Sequence, residues 1–572
     1  MKKIIACFFA LIFVAVFAFA SYVAYLRYDL WVNRKKDIVK ETFYVGPFSR
    51  TEREELFALI NQAIETGLDG KELVLPDLKK FPLKWQQKRG VYVTLNIGDK
   101  LRGCQGTKEA EKPFVHAVMD AAYRAAFQDK RFSKLTKEEY NNPDFNTYIS
   151  VLGKMKPVAF QTEQDIIKQL KPFQDGVLLE YQKQKGLFLP SVWAKRPSAS
   201  DFWKGVKKKA KLKEDFVPQK ARIFVFSSEN VRPVKQTILK DQKRIQKAIQ
   251  ALTALFQENG QIIYEIDYKT GTINEKSNIV REMGTGYSLA YAYYRTHDET
   301  LRPVLKRFLD YARRISVKTE QGSLISDGKG NIKSGSTALG LLAEMYYARE
   351  SGDNQFQDMR EQWKKGLLSL FERGQGIWTS WENKTMSPYY EGETWLALSV
   401  YNEFYPQDKE LDIAVSELND VMYDKYVSEF KDNFFHWGNQ AASIQYRLKK
   451  SQRMYDYIVK QARLYLNQTK IKPVNSSCSY AEGLAETALS LQRIGKRDYQ
   501  NVLTRLENQL EIPRLLQRKP YQWDENNKIH PEMQKYLGLF LGWADKSNTR
   551  NDHTQHCLTA LLKAQLVLEQ MK

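Results

Sequence analysis

Polar and aromatic residues, carboxylates among them, cluster at several separated places in the second half of this 572-residue chain: Arg281-Glu282, Tyr389-Tyr390-Glu391-Gly392-Glu393, His436-Trp437, Tyr480-Ala481-Glu482 and the run from Arg550 to His556. Sugar chemistry uses such a set, one acid to protonate a leaving oxygen and a second carboxylate as base or nucleophile. Glu391 or Glu393 with Asp552 is the expected catalytic pair, and Arg281, Glu282, Tyr390, Trp437, Glu482, His553 and His556 are the expected binding residues. The competing reading is that these groups cap helices and tie hairpins together by hydrogen bonds. His553 and His556, three apart and beside Asp552, could share a helical face as metal ligands. No third strong ligand cluster accompanies them, so no metal and no other cofactor is assigned.

A second chemistry is written in Leu101-Arg102-Gly103-Cys104-Gln105-Gly106-Thr107. Arg102 offers a planar fork for a carboxylate or phosphate, Gly103 and Gly106 let backbone amides approach a ligand, and Cys104 is a nucleophile if its thiol pKa is depressed. The alternative is that the glycines permit a tight strand-end turn and Cys104 is a small buried hydrophobe. His116 could pair with Cys104, although a lone histidine is more often a surface residue.

The elements that position these groups fall into two kinds. A helix begins at Ser49 or Thr51 and closes at Gly67; an alternating strand runs from Gly90 to Ile97 and turns at Gly98-Asp99 into the Arg102 segment. An alanine-rich helix follows from Phe114 to Phe127, then a strand at Tyr148 to Leu152. The intermixing predicts α+β, with no GxGxxG or Walker loop.

The order of Gly90 to Leu95, Leu101 to Thr107, the alanine-rich helix, Asp129 to Phe132 and Ile149 to Leu152 resembles the AMMECR1 family. Gly176 to Glu180, Gly186 to Trp193, and Asp201 to Leu212 resemble its later elements. Gln105 departs from the aliphatic residue usual in the family's Leu-Arg-Gly-Cys-Ile-Gly-Thr core. The resemblance implies an α+β fold and a cleft of undetermined activity.

Beyond Pro233 the chain reads as amphipathic helices. Small-residue phrases recur at Gly286 to Ala292, Ser336 to Leu342, Gly392 to Leu398, Asn439 to Ile444, Ala481 to Leu489 and Thr554 to Leu561, each followed by a more polar helix. The pattern resembles six-hairpin α/α toroids, a superfold shared by many unrelated activities. The absence of DxDD or DDxxD runs argues against prenyl cyclisation.

The first 40 residues hold an apolar run from Ile4 to Leu26, long enough as a helix to cross a ~30 Å hydrocarbon layer. Ala18-Phe19-Ala20 competes as a signal-peptidase site. The expectation is a single-pass membrane protein with an extracytoplasmic bulk, divided as 1–40 anchor or signal segment, 43–231 α+β unit and 236–572 helical unit. The net charge of +21 is dispersed apart from Lys204 to Lys213, which favours a solvated basic face over nucleic-acid binding. Four cysteines without paired spacing predict no disulfide framework. The functional expectation is an AMMECR1-type module that binds a ligand or protein partner on a helical platform; the alternative is a carbohydrate-active enzyme of the envelope.

Overall fold

The computed structural model describes residues 48–98, 100–108, 111–196, 198–213, 215–216, 221–274, 276–468, 477–492, 496–517, 529–542 and 547–571. The first unit opens with α1 (Arg50–Leu68), capped by a reciprocal pair in which Ser49 Oγ accepts from the Glu52 amide and Glu52 accepts from the Ser49 amide. β1 (Val91–Ile97) and β2 (Lys100–Thr107) form the hairpin that carries Arg102 and Cys104. α2 (Phe114–Phe127) lies across them, and its alanines let it sit close to the sheet. β3 (Phe145–Leu152), β4 (Lys156–Pro157), β5 (Gly176–Tyr181), β6 (Gln184–Phe188), α3 (Ala199–Lys209), β7 (Arg222–Phe226) and β8 (Ser228–Val231) complete the unit. Two antiparallel sheets result, ordered β2-β1-β3-β8 and β4-β7-β5-β6.

Among the described residues the second unit is six helical hairpins. The outer members are α4 (Val234–Thr253), α6 (Arg302–Arg314), α8 (Gln357–Ser369), α10 (Lys409–Tyr426), α12 (Gln452–Leu466) and α14 (Lys496–Leu516). The inner members are α5 (Ile279–Thr296), α7 (Ser334–Ser351), α9 (Pro388–Phe404), α11 (Phe435–Lys449), α13 (Ser477–Leu491) and α15 (Asn551–Glu569). Each inner helix packs on the next and α15 closes on α5, which makes the ring a toroid. Inner helices are buried nearly all round, which their small residues and mixed polarity require; outer helices bury one stripe. A short sheet pairing Asn548–Arg550 with Glu265–Asp267 ties the last hairpin to the first.

The units share a core. Apolar residues around the second sheet, including Trp193, Phe202 and Trp203, run continuously into those of the toroid. The contact is also polar: α14 lies along β8, where Asn230 Nδ2 donates to Asn508 Oδ1 at 2.5 Å and Gln500 Nε2 to Glu229 Oε1 at 2.7 Å.

Two expectations are corrected. The anchor expected over residues 4–26 lies outside the described residues, and among the described residues no helix is long and apolar enough to cross a membrane. Long helices such as α7 carry charges, here Glu344, Arg349 and Glu350, and their apolar side chains are taken up by the core. The described residues build the α+β unit and the toroid, and none of their helices supports the single-pass, extracytoplasmic architecture. The expected lack of disulfides is overturned by Cys478–Cys557, which joins α13 to α15 across a sequence separation of 79. No local spacing announces it, because the ring, not the sequence, brings those helices together.

Candidate functional site

The inner helices present their first turns to one end of the ring, and two clusters form there. Glu393, in the second turn of α9, is 4% exposed, and its Oε2 has no hydrogen-bond partner. It leans across onto α7, where a Cβ at Gly335 would overlap Oε2, and it lies beside the Tyr390 ring. Burial alone pushes its carboxyl well above the ordinary glutamate range, which favours the protonated acid. Asp552, at the start of α15, is instead gripped by Arg281 at 3.0 Å and by both Nε and Nη2 of Arg550, at 2.9 and 3.0 Å. Burial opposes its ionisation, but the neighbouring positive groups outweigh burial and hold it below the usual range. At neutral pH the arginines do this, since burial pushes His553 down to about 4. Half-exposed Tyr389 lies within electrostatic reach of both Glu393 and Asp552.

The second cluster spans α11, α13 and α15. His556 Nδ1 lies 2.8 Å from Glu482 Oε2, and Thr559 donates to the other carboxylate oxygen. The His436 ring centres 5.1 Å from that of His556 and 4.4 Å from that of Trp437. His436 is 3% exposed, and neither ring nitrogen has a partner. Ligand atoms of His436, Glu482 and His556 lie within 4.8 Å of one another, and no other such group occurs among the described residues. One turn deeper, the buried pair Glu486–Lys563, at 2.6 Å, and Arg447 lie with Tyr291 and Tyr346.

Other expected residues do not join either cluster. Glu391 turns outward, accepting from Lys425 Nζ at 2.5 Å, from Tyr426 and from the Ile377 amide. Glu282 accepts from Ser277. His553 turns toward Thr549 and Gly542 rather than toward His556. Trp437 borders the second cluster, and its indole Nε1 is unpartnered.

In the first unit, Arg102 forks onto Glu139 at 2.7 and 2.8 Å, so its charge is committed internally. A Cβ at Gly103 would overlap the Ala125 carbonyl of α2, and one at Gly106 the Val91 carbonyl of β1. The glycines thus serve chain packing. The Cys104 amide donates to Asp129 at 2.9 Å, and its thiol accepts from Thr94; burial raises the thiol pKa, which disfavours the thiolate that a nucleophile needs. His116 bonds the Pro76 carbonyl at 2.8 Å. Cys104 and Arg131 line a cavity of about 310 Å³ between the units, walled on the other side by Arg232, Lys240 and Arg514.

Sequence reading did not group His436 with Glu482 and His556, since they are up to 120 positions apart (436 to 556). His556 and Glu393 each lie five residues past the first residue of their helix (551 to 556, 388 to 393), whereas His436 lies one residue past the start of α11, so no common position along the helices announces the set.

Residues 57–231 match the AMMECR1 family model. A Methanothermobacter thermautotrophicus protein is 35% identical over 189 residues, covering 32% of this chain and 95% of its own length. An uncharacterised Pyrococcus horikoshii protein of known structure is 30% identical, covers 31% of this chain and 89% of its own, and superposes with a TM-score of 0.29. The α-1,6-mannanase of Salegentibacter sp. HEL1_6 is 11% identical, covers 57% of this chain and 99% of its own, and superposes with a TM-score of 0.44.

Proposed function

The chain belongs to the AMMECR1 family through residues 57–231, and from that premise we propose that its helical ring is a chemical site for a carbohydrate, joined to an AMMECR1 unit that binds a ligand or protein partner. The observation that carries this reading is a pair of unlike carboxyls at the starts of inner helices: Glu393, buried with Oε2 unpartnered and its pKa raised by burial, and Asp552, held by Arg281 and Arg550 with its pKa lowered. Separated pKa values are how one site holds an acid and a carboxylate together at neutral pH. Glu393 supplies the proton to a leaving oxygen. Asp552, its charge offset by two arginines, is a poor base and is suited to orient a ring hydroxyl, while water takes up the glycosyl group as the bond to the protonated oxygen breaks. Tyr389 and Tyr390 give the apolar faces on which a ring can stack.

The test is binding and turnover of an oligosaccharide and uronate panel by the full chain, beside Glu393→Gln and Asp552→Asn. The reading expects turnover of one glycan class to fall about 10²- to 10⁴-fold in Glu393→Gln while binding persists. A folded protein that binds no saccharide would sink it. A non-catalytic reading is favoured by Glu282, Glu391 and Arg102, each engaged internally; it expects binding with no turnover by the wild type.

A further inference from the structure

We propose that His436, Glu482 and His556 form a divalent-cation site of the kind zinc occupies. The cluster brings together two imidazoles and one carboxylate from three adjacent inner helices, with ligand atoms within 4.8 Å of one another. Zinc bonds of ~2.0–2.1 Å in a tetrahedron place ligand atoms roughly 3.3 Å apart. Closing the set thus takes side-chain adjustments on the order of an ångström, within reach of small rotamer shifts.

His436 is the second, independent observation. A buried polar atom without a partner is costly, and native interiors contain few. His436 is 3% exposed and leaves both ring nitrogens without one. Its ring stands edge-on to the His556 ring, and neither of its nitrogens makes a hydrogen bond there. A cation between His436 and the Glu482–His556 pair would satisfy it.

The surroundings fit a cation as well. Among the described residues Glu482 makes no ion pair with Lys or Arg, whereas the deeper Glu486 is matched by Lys563 and Arg447. Thr559 donates to one Glu482 oxygen, which fixes the carboxylate while the other faces His556. Two imidazoles select zinc or a similar transition metal over magnesium or calcium, which favour all-oxygen shells. Three protein ligands leave a coordination position for water or a substrate oxygen, the pattern of catalytic rather than structural sites.

Cation binding is read without any saccharide, so this inference stands or falls independently of the carbohydrate reading. The untagged full chain is stripped with a chelator and titrated with Zn²⁺ against a chromophoric competitor, and separately with Co²⁺ while visible absorption is recorded. One cation per chain is expected, with tetrahedral Co²⁺ bands. His436→Ala and His556→Ala should weaken binding at least about 100-fold, and His297→Ala, far from the cluster in sequence and solvent-exposed, should not. Thermal melts check that each variant folds. A stripped wild type that melts normally yet takes up no Zn²⁺ and gives no Co²⁺ bands would overturn the proposal, whatever the variants do. Binding that is unchanged in a folded His436→Ala would overturn it equally.

Discussion

Arg53 Nη1, on α1, lies 2.8 Å from Glu507 Oε1 on α14, with the arginine side chain fully buried and the glutamate nearly so. Burial works against the guanidinium charge, and Glu507 more than restores it. Removing one partner of such a pair leaves an uncompensated buried charge, whereas replacing both with apolar groups is often neutral or better. Glu507→Gln is therefore expected to lose about 3 kcal/mol or more in urea unfolding. Arg53→Met with Glu507→Leu together should lose less than Glu507→Gln alone. Because the pair and the shared core bridge both units, the wild type should unfold in one transition. Two well-separated transitions would show that the units are thermodynamically independent.

The family motif makes its own prediction. Gly103 and Gly106 face carbonyl oxygens of α2 and β1, with no room for a methyl group. Gly103→Ala must push α2 off the sheet, and a loss of about 1–3 kcal/mol is expected, rising for valine. Wild-type stability in Gly103→Ala would mean that the glycine serves a ligand and not the packing.

Much of the fold could be read from local pattern, and the site only in part. The Ser49 cap, the alternation from Val91 to Ile97 and the small-residue phrases are short-range signals, because periodicity and capping act within one element. The side-chain directions at the ring mouth are different. Glu391 and Glu393 are two residues apart on α9, yet one turns out to Lys425 and the other in to Gly335. Successive helical residues turn by ~100°, so that choice depends on how α9 is rotated in the ring. The same holds for His553 and His556, and for Cys478 and Cys557, whose meeting depends on ring closure.

Asp129 should show pH-dependent stability. Burial works against its charge, but hydrogen bonds from Arg131 and from the Cys104 and Arg131 amides overcome it and hold the carboxyl at about 2. A folded pKa below the unfolded one contributes stability above the unfolded value, lost as pH falls through the folded one. Asp129→Asn is expected to lose about 2 kcal/mol at pH 7. The gap between variant and wild type should narrow as pH falls from about 4 to 2. A gap that stays constant over that range, in urea midpoints, would mean that the charge contributes nothing.

Gly335 tests how Glu393 is held. The carboxyl occupies the space that a Cβ would take on α7. Gly335→Ala should displace Glu393 and reduce saccharide turnover by at least tenfold, with helix propensity offsetting part of the strain. Unchanged turnover would separate Glu393 from the chemistry.

The Cys478–Cys557 bond clamps the helices that carry Glu482 and His556, at positions one turn before the first and adjacent to the second. Closing a long loop restricts the unfolded chain, and a stabilisation of roughly 2–4 kcal/mol is typical. The chain has four cysteines, so the denatured protein should take up no more than two alkyl groups without reductant, at Cys7 and Cys104, and four after reduction. Cys478→Ser with Cys557→Ser should lower stability by the same 2–4 kcal/mol in urea unfolding. Four alkyl groups without reductant would show that the bond does not form. An intact bond whose loss leaves stability unchanged would mean that ring packing alone fixes α13 against α15.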